Sequence, residues 1–422
     1  MRCSVLRFPG GEETSFHHWE IPGAPIYRDA WDTDPKSRHY ADPAAFVTNS
    51  MDTGKFLTWC EKIGAEPLVG VNIESGARLN RIEDSAEEAR RWVAHCKERG
   101  HRVRYWYMDN ESYLNEPTEG SGNYKQLSVE QYAEYVTVLS IAMRELDPSL
   151  KVIVNWDGNL GTPRVQDQLT KLLKAAGQHI DIVDFHYYWN HGKASWELWL
   201  DRNPMRNEAW DSEGWYEGIA YADEITRFRR TLGRLGYDIK LAALEWNIGP
   251  SPADHSMFQH ALMQSEMLAQ FMEGGLHMAC IWPLTHPVGD RHFRSLLFQK
   301  TWDPAPLYHV FKLYSRALGQ RVVKTETSLP RVRPLAAISR DGRTLLVYLL
   351  HKSREGQTAE ARLEISGFQS ASAQAVALTA ADPAADEGEV VDLEVTCRPS
   401  AGPVECTLPP HSLTMITLST PK

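Results

Sequence analysis

The sequence of 422 residues lacks the features that mark several common classes of protein. It has no run near the ~20 apolar residues that a membrane-spanning helix requires. Met1 is followed at once by Arg2 and a strand-like segment instead of a signal peptide, which predicts a cytoplasmic protein and leaves secretion of a longer precursor open. Lysine and arginine number 45 against 55 aspartate and glutamate residues, and this balance argues against binding to nucleic acid or to a membrane.

Cysteine is scarce and never occurs as a CxxC pair, so the sequence argues against structural zinc and against a disulfide-rich fold. Of the six cysteines, only Cys397 and Cys406 flank a predicted turn where they could pair. There is also no GxGxxG turn after the first predicted strand, which argues against a dinucleotide-binding fold. We therefore predict no cofactor.

Aromatic residues are the feature present in excess. The 14 tryptophans and 16 tyrosines exceed the usual needs of a core. Flat rings with a polar edge suit the faces and hydroxyl groups of sugars. A tryptophan-rich core is the alternative, and composition alone does not separate the two.

Short apolar runs alternate with amphipathic helical patterns from residue 1 to about 320, and two capping boxes, at Ser85 and Ser128, predict helix starts. Alternating strands and helices imply a parallel sheet, and seven such units favour a (β/α) barrel. The predicted strands are Ser4–Phe8, Pro67–Ile73, Arg104–Glu111, Lys151–Trp156, Ile182–Tyr188, Ile239–Asn247 and Ala279–Leu284.

The pattern changes near Gln320, where alternating strand-like runs replace helical periodicity and Asp341-Gly342 predicts a hairpin turn. We therefore predict two domains. Residues 1–320 would form a (β/α)8-type TIM barrel, and residues 321–422 an all-β sandwich.

Two predicted strands carry a glutamate near their C-terminal end, directly after an apolar run, and this pair carries the functional prediction. Glu111 is the last residue of the third strand, and Glu245 lies two residues before the end of the sixth. Reactive groups of parallel barrels gather at the C-terminal ends of strands, where an ionisable group is costly unless it is paired or used. Two facing carboxylates are what glycoside hydrolysis requires. A structural ion pair is the alternative for either glutamate alone.

Other strand ends carry polar or aromatic residues that suit such a site. Arg7 could hold a nucleophilic carboxylate ionised. The remaining candidates could bind sugar hydroxyl groups or stack on a sugar ring, and they are Asn72, Asn110, His186, Tyr188, Trp246 and Trp282.

These motifs resemble those of clan A retaining glycoside hydrolases, above all the family 51 α-L-arabinofuranosidases. The similarity covers about residues 4–320. The matching stretches are Val5–Gly11, Phe56–Pro67, Val71-Asn72, Tyr105-Trp106, Asn110-Glu111, Asp184–Tyr188 and Glu245–Asn247.

The resemblance implies that Glu111 is the acid/base and Glu245 the nucleophile. It implies that Asn110 binds the hydroxyl group next to the anomeric carbon. Arg7, His186 and Tyr188 would order the nucleophile, and Asn72 and Trp282 would line the sugar subsite. It also implies an oligosaccharide or polysaccharide substrate and no catalytic metal.

The sequence departs from the family at Asp109, where a glycine is usual. Two other functions therefore stay open. Agarases and porphyranases of clan A carry related motifs, so an endo-acting galactan or glucan hydrolase is the first alternative. The second is a catalytically inactive carbohydrate-binding protein.

Two further expectations concern architecture. The aromatic insertion after the fifth strand, with Trp196, Trp199, Trp210 and Trp215, is predicted to form a wall of the substrate cleft. The barrel is predicted to lack its first β/α unit, because the clan pattern places the two glutamates after strands four and seven. An open barrel would expose strand edges that another chain could cover, so we expect a homo-oligomer.

Overall fold

The structure is a computed structural model that describes residues 3–113, 127–211, 214–250, 255–286, 291–397 and 403–421, without the side chains of residues 209–215. No described helix is both long and apolar enough to cross a membrane. The strands of the N-terminal part are β1 (Val5–Phe8), β2 (Glu66–Val71), β3 (Tyr105–Met108), β4 (Lys151–Asp157), β5 (Ile182–Trp189), β6 (Arg206–Asp211), β7 (Gly214–Ala220), β8 (Lys240–Ile248) and β9 (Met278–Ile281).

Helices connect these strands. They are α1 (Thr53–Ile63), α2 (Glu74–Arg78), α3 (Ile82–Glu98), α4 (Val129–Leu146), α5 (Pro163–Ala176), α6 (Trp196–Asp201), α7 (Tyr221–Arg234), α8 (Met257–Gly274) and α9 (Pro306–Tyr314). The capping box at Ser128 is confirmed as the start of α4. The one predicted at Ser85 is wrong, because α3 already begins at Ile82 and Ser85 lies inside its first turn.

Seven strands form one parallel sheet in the order β1-β2-β3-β4-β5-β8-β9. All seven strands predicted from the sequence are confirmed, within a few residues at their ends. The sheet curves until Arg7 of β1 contacts Glu245 of β8, at 3.1 Å between guanidinium and carboxylate. The predicted fold class is confirmed as a nearly closed parallel barrel.

The barrel has an open seam between its two outer strands, β1 and β9. These strands do not pair with each other in the described residues. Every residue of β9 is partly exposed, whereas all but the first residue of β4 are buried. A cavity of about 1380 Å³ lies along the seam, lined by both outer strands and by Trp59, Ile63 and Leu318. The predicted absence of one β/α unit agrees with this geometry.

The C-terminal part is all β and packs on the barrel. Its strands are β10 (Arg321–Val323), β11 (Val332–Ile338), β12 (Thr344–His351), β13 (Ala359–Leu363), β14 (Ser372–Thr379), β15 (Glu389–Leu393), β16 (Val395–Cys397), β17 (Val404–Leu408) and β18 (Ser412–Ser419). They form antiparallel sheets in the orders β10-β11-β12-β18-β14-β15 and β13-β17-β16. Apolar side chains from both sheets share a core. The sequence left open whether Cys397 and Cys406 pair, and in the structure both thiols are free.

A buried ion pair joins the two parts of the chain. Lys352 Nζ of the loop after β12 lies 2.7 Å from Glu266 Oε2 of α8, and both side chains are at most 1% exposed. The same carboxylate accepts a hydrogen bond from Trp199 Nε1, and the Lys352 ammonium lies over the Trp199 ring. Trp196 packs on Trp199 and on His411.

These contacts correct the prediction for the aromatic insertion. Trp196 and Trp199 pack at the junction between the barrel and the C-terminal part instead of lining a cleft. The physical reason is that the insertion folds as α6 and a β6-β7 hairpin, which brings both indoles against that junction. The side chains of Trp210 and Trp215 lie outside the described ones.

The long segment between β1 and α1 is held by a buried charge network. His18 Nδ1 lies 3.0 Å from Glu88 Oε2 of α3, and His18 Nε2 lies 2.9 Å from Asp29 Oδ1. Arg78 of α2 contacts Asp29 and Asp32 in turn. Burial disfavours the imidazolium, but hydrogen bonds to Asp29 and Glu88 outweigh it and raise the pKa of His18 to about 9.

We predict that His18 stabilises the fold at neutral pH but not at high pH. Its folded pKa lies above the ordinary value of 6.5, so its contribution is complete below pH 6.5 and lost as the pH rises through 9. Substitution His18→Asn should lower the free energy of unfolding by about 3 kcal/mol at pH 6, because it leaves buried carboxylates unpaired. The difference from wild type should shrink above pH 9 in urea titrations.

His101→Asn is the matched control. His101 pairs with Glu61, but that glutamate side chain is 63% exposed, so its loss should cost less than about 1 kcal/mol. Equal effects of the two substitutions would contradict a special role of the buried network.

Candidate active site

The C-terminal ends of the barrel strands bring charged and aromatic side chains into one buried cluster. Arg7 comes from β1, His186 and Tyr188 from β5, and Glu245 from β8. Glu111 lies three residues after the end of β3, in a backbone conformation with φ of 46°. This clustering follows from parallel strands, whose carboxyl ends meet at one edge of a sheet.

Glu245 is held by one donor at each carboxylate oxygen. Arg7 Nη1 donates to Oε2 at 3.1 Å, and the Tyr188 hydroxyl group donates to Oε1 at 2.7 Å. The Arg7 guanidinium also lies 4.4 Å from the centre of the Tyr107 ring. Although burial disfavours the charge, Tyr107 and Glu245 raise the pKa of Arg7 above its ordinary value. Arg7 is therefore a permanent cation beside Glu245.

Glu111 faces the same space from the opposite side. Its Oε1 accepts a hydrogen bond from the Tyr113 hydroxyl group at 3.1 Å and lies 3.0 Å from His186 Nδ1. Oxygen atoms of Glu111 and Glu245 and a ring nitrogen of His186 all lie within 4.8 Å of one another. The two carboxyl groups are therefore neighbours, with the imidazole between them.

His186 is the cation that separates the carboxylates. Its Nδ1 lies 3.9 Å from Glu245, and its Nε2 lies 3.2 Å from Asp184. Burial opposes protonation, but the charges of Glu245 and Asp184 and hydrogen bonds to Asp184 and Glu111 raise the pKa of His186 to about 10. The imidazolium thus offsets part of the repulsion between two close carboxylates.

Asn110 is oriented by charged groups on both ends of its amide. Its Oδ1 accepts a hydrogen bond from Arg7 Nη2 at 2.6 Å, and its Nδ2 donates to Glu12 Oε1 at 2.8 Å. The side chain is 1% exposed. This fixes the amide next to the nucleophile candidate, Glu245.

The unusual Asp109 has a structural explanation. Its φ is 63°, a conformation that favours glycine, and its carboxylate accepts several hydrogen bonds that offset the strain. Oδ1 accepts hydrogen bonds from Ser15 Oγ and from the backbone amide of Asn110. Oδ2 accepts hydrogen bonds from the backbone amides of Ile73 and Glu74. Asp109 thereby ties the end of β3 to the end of β2 and to the loop after β1.

Trp246 is a correction to the predicted substrate-binding set. Its side chain is fully buried and packs against Phe271 of α8 and Phe311 of α9. Successive side chains of a strand point to opposite faces, so Glu245 inside the barrel forces Trp246 outward into the helix layer.

Two other predicted residues differ in position. Trp282 follows β9 and lies 6.5 Å from Tyr188 between ring centres, so it borders the cluster. Asn72 instead exchanges hydrogen bonds with Ser75, donating to its hydroxyl group at 2.7 Å and accepting from its amide at 2.9 Å. A substrate contact by Asn72 stays a prediction.

Tyr113 and Glu12 also contact the site, and the strand-end pattern of the sequence did not predict them. Tyr113 lies two residues after Glu111, and burial and then the Glu111 charge raise its pKa well above its ordinary value. Glu12 directly follows the Pro-Gly-Gly turn of β1. A reading of every polar residue just after each strand end would have found both.

Among the described residues, Glu111, His186 and Glu245 form the only group of three or more side chains close enough to ligate one metal ion. The Arg7 guanidinium on Glu245 and the charge on His186 oppose a further cation at this place. The expectation of no metal and no cofactor stays a prediction.

No protein-family model matches the sequence. A curated relative, the intracellular exo-α-(1→5)-L-arabinofuranosidase 1 of Bacillus subtilis, is 20% identical over 88% of this chain and 76% of its own length. The α-L-arabinofuranosidase C of Emericella nidulans is 26% identical over 45% of this chain and 38% of its own length. The chain thus spans about three quarters of the first relative and about two fifths of the second.

Solved structures share the fold along nearly the whole chain. The family 51 α-L-arabinofuranosidase of Thermotoga petrophila superposes with a TM-score of 0.69 at 19% identity, over 99% of this chain and 87% of that one. A bifunctional glucanase-xylanase from a metagenome library gives a TM-score of 0.68 at 17% identity, over 99% and 93%. The resemblance to family 51 and clan A that the motifs predicted is confirmed.

We predict that Asp109 is needed for the fold around the site. Substitution Asp109→Asn replaces an acceptor oxygen by an NH₂ group that faces backbone or hydroxyl donors, so buried donors lose their partner. The free energy of unfolding should fall by at least about 2 kcal/mol in urea titrations. Asp34→Asn, on an exposed turn, is the control and should change it by less than about 0.5 kcal/mol. An unchanged Asp109→Asn protein would contradict the assigned role.

Proposed function

We propose that this chain is a retaining glycoside hydrolase that acts as an α-L-arabinofuranosidase on plant polysaccharide or oligosaccharide. The observation that carries the proposal is the short distance between Glu111 and Glu245, with atoms of both carboxyl groups and of His186 within 4.8 Å of one another. Retaining sites hold the two carboxyl groups roughly 5–5.5 Å apart, and inverting sites leave ~6.5–9.5 Å for a water molecule.

In the first step of this mechanism Glu245 attacks the anomeric carbon while Glu111 protonates the leaving oxygen. The glycosidic bond breaks, the aglycone leaves as an alcohol, and the sugar stays esterified to Glu245. In the second step Glu111 takes a proton from water, whose oxygen attacks the anomeric carbon and releases Glu245. The two glutamates have different surroundings, in keeping with their different roles. Arg7 and Tyr188 donate to Glu245, the nucleophile, whereas Tyr113 and His186 contact Glu111, the acid/base.

The remaining side chains position the substrate in this proposal. Asn110, fixed by Arg7 and Glu12, would bind the hydroxyl group next to the anomeric carbon. Trp282 would offer a ring to the sugar from the border of the cluster. Neither residue needs to move, because their partners already orient them, and such preorganisation favours the transition state.

The names of the curated relatives support arabinofuranose as the sugar that is released. The Bacillus subtilis relative is named an intracellular enzyme, which supports the cytoplasmic location that we propose for this chain.

An endo-acting glucan or galactan hydrolase is the second candidate. The glucanase-xylanase matches this chain with nearly the same TM-score as the arabinofuranosidase, so the shared fold does not separate exo from endo action. A panel of aryl glycosides and plant or algal polysaccharides, with product sizes measured, would distinguish them.

We predict that substitution of either glutamate impairs hydrolysis, and that the two losses depend differently on the leaving group. Glu245→Ala should lower kcat on an aryl α-L-arabinofuranoside by at least about 10⁴-fold, because no glycosyl-enzyme forms. Glu111→Ala should lose less on a substrate with an acidic phenol as leaving group, since such a group departs without protonation. NMR of the first product should show retained anomeric configuration.

Glu61→Gln, at an exposed carboxylate, is the control and should keep wild-type rates. An inverted first product would rule out the mechanism. Unchanged turnover in Glu245→Ala would rule out Glu245 as the nucleophile. If the wild-type protein binds arabinose polymers but does not cleave them, the alternative of an inactive carbohydrate-binding protein is favoured.

We further propose that a second copy of the chain covers the open seam. Partly exposed strands at the end of a sheet invite pairing, and two apolar side chains beside the seam are strongly exposed, Ile63 at 41% and Leu318 at 49%. A symmetric dimer would bring the same patch of both copies together and bury it.

We predict that the wild-type protein sediments as a dimer and that Ile63→Glu with Leu318→Glu shifts it to monomers. The reason is that a buried, unpaired carboxylate is unfavourable in an interface. Leu235→Glu is the matched control, since Leu235 is 44% exposed away from the seam and should leave the dimer intact. A monomeric wild type in analytical ultracentrifugation would contradict the proposal.

A further inference from the structure

Arg294 is a buried cation beside the candidate active site, and it forms no direct ion pair with a carboxylate of the described residues, although the charge of Glu245 acts on it from a greater distance. It lies in the loop after β9 and is 9% exposed. Its Nε donates to the carbonyl oxygen of Ile248 at 3.2 Å, whereas its Nη2 is buried without a hydrogen-bond partner. Burial lowers the pKa of this guanidinium, in keeping with an environment that opposes the charge.

The position of Arg294 connects it to the proposed chemistry. The guanidinium carbon lies 5.5 Å from the ring centre of Tyr188 and 5.9 Å from that of Trp282. Tyr188 is the residue that donates to Glu245, and Trp282 borders the same cluster. One aromatic ring therefore separates this cation from the proposed nucleophile.

Two histidines lie near the arginine, and the backbone amide of Arg294 donates to His292 Nδ1 at 3.2 Å. The rings of His286 and His292 stack at 3.5 Å, and His286 meets the edge of Trp282 at 5.4 Å. His292 is partly exposed, and burial together with the charges of His286 and Arg294 lowers its pKa to about 4. Both rings are polar, and the partly exposed His292 places the group next to solvent.

We propose that Arg294, with His286 and His292, is a subsite for an anionic group on the substrate, namely a carboxylate or sulfate carried by a sugar residue. The inference rests on the proposed glycosidase function of the adjacent site. Arginine presents a planar fork of donors that matches both carboxylate and sulfate oxygens. A buried guanidinium without an ion-pair partner is unfavourable in the free protein, and an incoming anion would relieve that cost. The polymer chosen by this protein is therefore acidic near the bond that is cleaved.

The alternative is that Arg294 acts only within the protein, by its field on Tyr188 and Glu245. That role would affect charged and neutral substrates equally. An anion subsite would instead change the preference for charged over neutral substrates. Pairs of ligands that differ only in the anion therefore distinguish the two explanations.

The test compares ligands that differ only in the anion. One pair is a glucuronate-bearing arabinoxylan oligosaccharide and its carboxyl-reduced form, and the other is a sulfated arabinan oligosaccharide and its desulfated form. Binding is measured by calorimetry on Glu245→Gln, which does not depend on turnover. We expect tighter binding of the anionic member of at least one pair by about 10- to 100-fold, as for hydrogen bonds to a charged group. The pair that responds identifies the anion.

Matched variants assign the effect. Arg294→Met should remove the preference, and Arg294→Lys should keep part of it, because it retains the charge but not the fork of donors. Arg291→Met is the control, since Arg291 lies in the same loop, pairs with Glu387 and is 47% exposed. It should keep the full preference, and thermal melting checks that each variant is folded.

Two results would overturn the inference: equal binding within both pairs by the parent protein, or an equal loss for anionic and neutral members in Arg294→Met. If the wild type cleaves no aryl glycoside while the binding preference persists, the proposed function fails and the subsite stands.

Discussion

The contact between Arg7 and Glu245 is the interaction on which the site depends. One guanidinium, almost fully buried, binds the carboxylate of Glu245 on β8 and the side-chain amide of Asn110, and so connects β1 with the C-terminal ends of β3 and β8. A buried guanidinium is tolerated only with such partners. The curvature of the sheet, the orientation of Asn110 and the placement of Glu245 therefore share one cause.

The barrel achieves this contact although it is incomplete. Seven parallel strands leave a seam between β1 and β9, and β1 itself carries Arg7. The open edge of the sheet is thus adjacent to the charge cluster. A second copy that covers the seam, as we propose, would therefore lie close to the strand that holds Arg7. The segment after β1 supports this region from the other side, through Ser15 on Asp109 and through the buried pairs of His18.

The C-terminal part packs on the barrel and does not reach the carboxylates through any described contact. Its Lys352 meets Glu266 inside the junction, where Trp199 contacts both groups. The loop after β9 contributes in a different manner, since it carries Trp282, the stacked histidines and Arg294. The strand ends supply the proposed acid/base and nucleophile of the reaction, and this loop carries the groups that we propose to bind an anionic part of the substrate.

The sequence by itself determined the periodic elements and the pair of carboxylates. Apolar runs that end in polar residues mark parallel strands, so all seven strands, Glu111 and Glu245 could be read without coordinates. The count of seven strands, together with the strand positions that the family resemblance implies for the two glutamates, also predicted the missing unit of the barrel. The strands can be predicted because their apolar pattern is a local property of the sequence. The pair of glutamates can be predicted because the C-terminal ends of parallel strands lie together in a barrel.

Only the tertiary structure decided what each side chain contacts. Trp246 looked like a ligand-facing residue because it adjoins Glu245, but alternation along β8 turns it toward the helices. Trp196 and Trp199 looked like a cleft wall, but they seal the junction between domains. Asp109 looked like a departure from the family pattern, but its carboxylate accepts hydrogen bonds that hold the loops around the site. Arg294 carried no signal at all, because an unpaired buried charge is a property of three-dimensional surroundings, and residues distant in the chain create those surroundings only when they fold together.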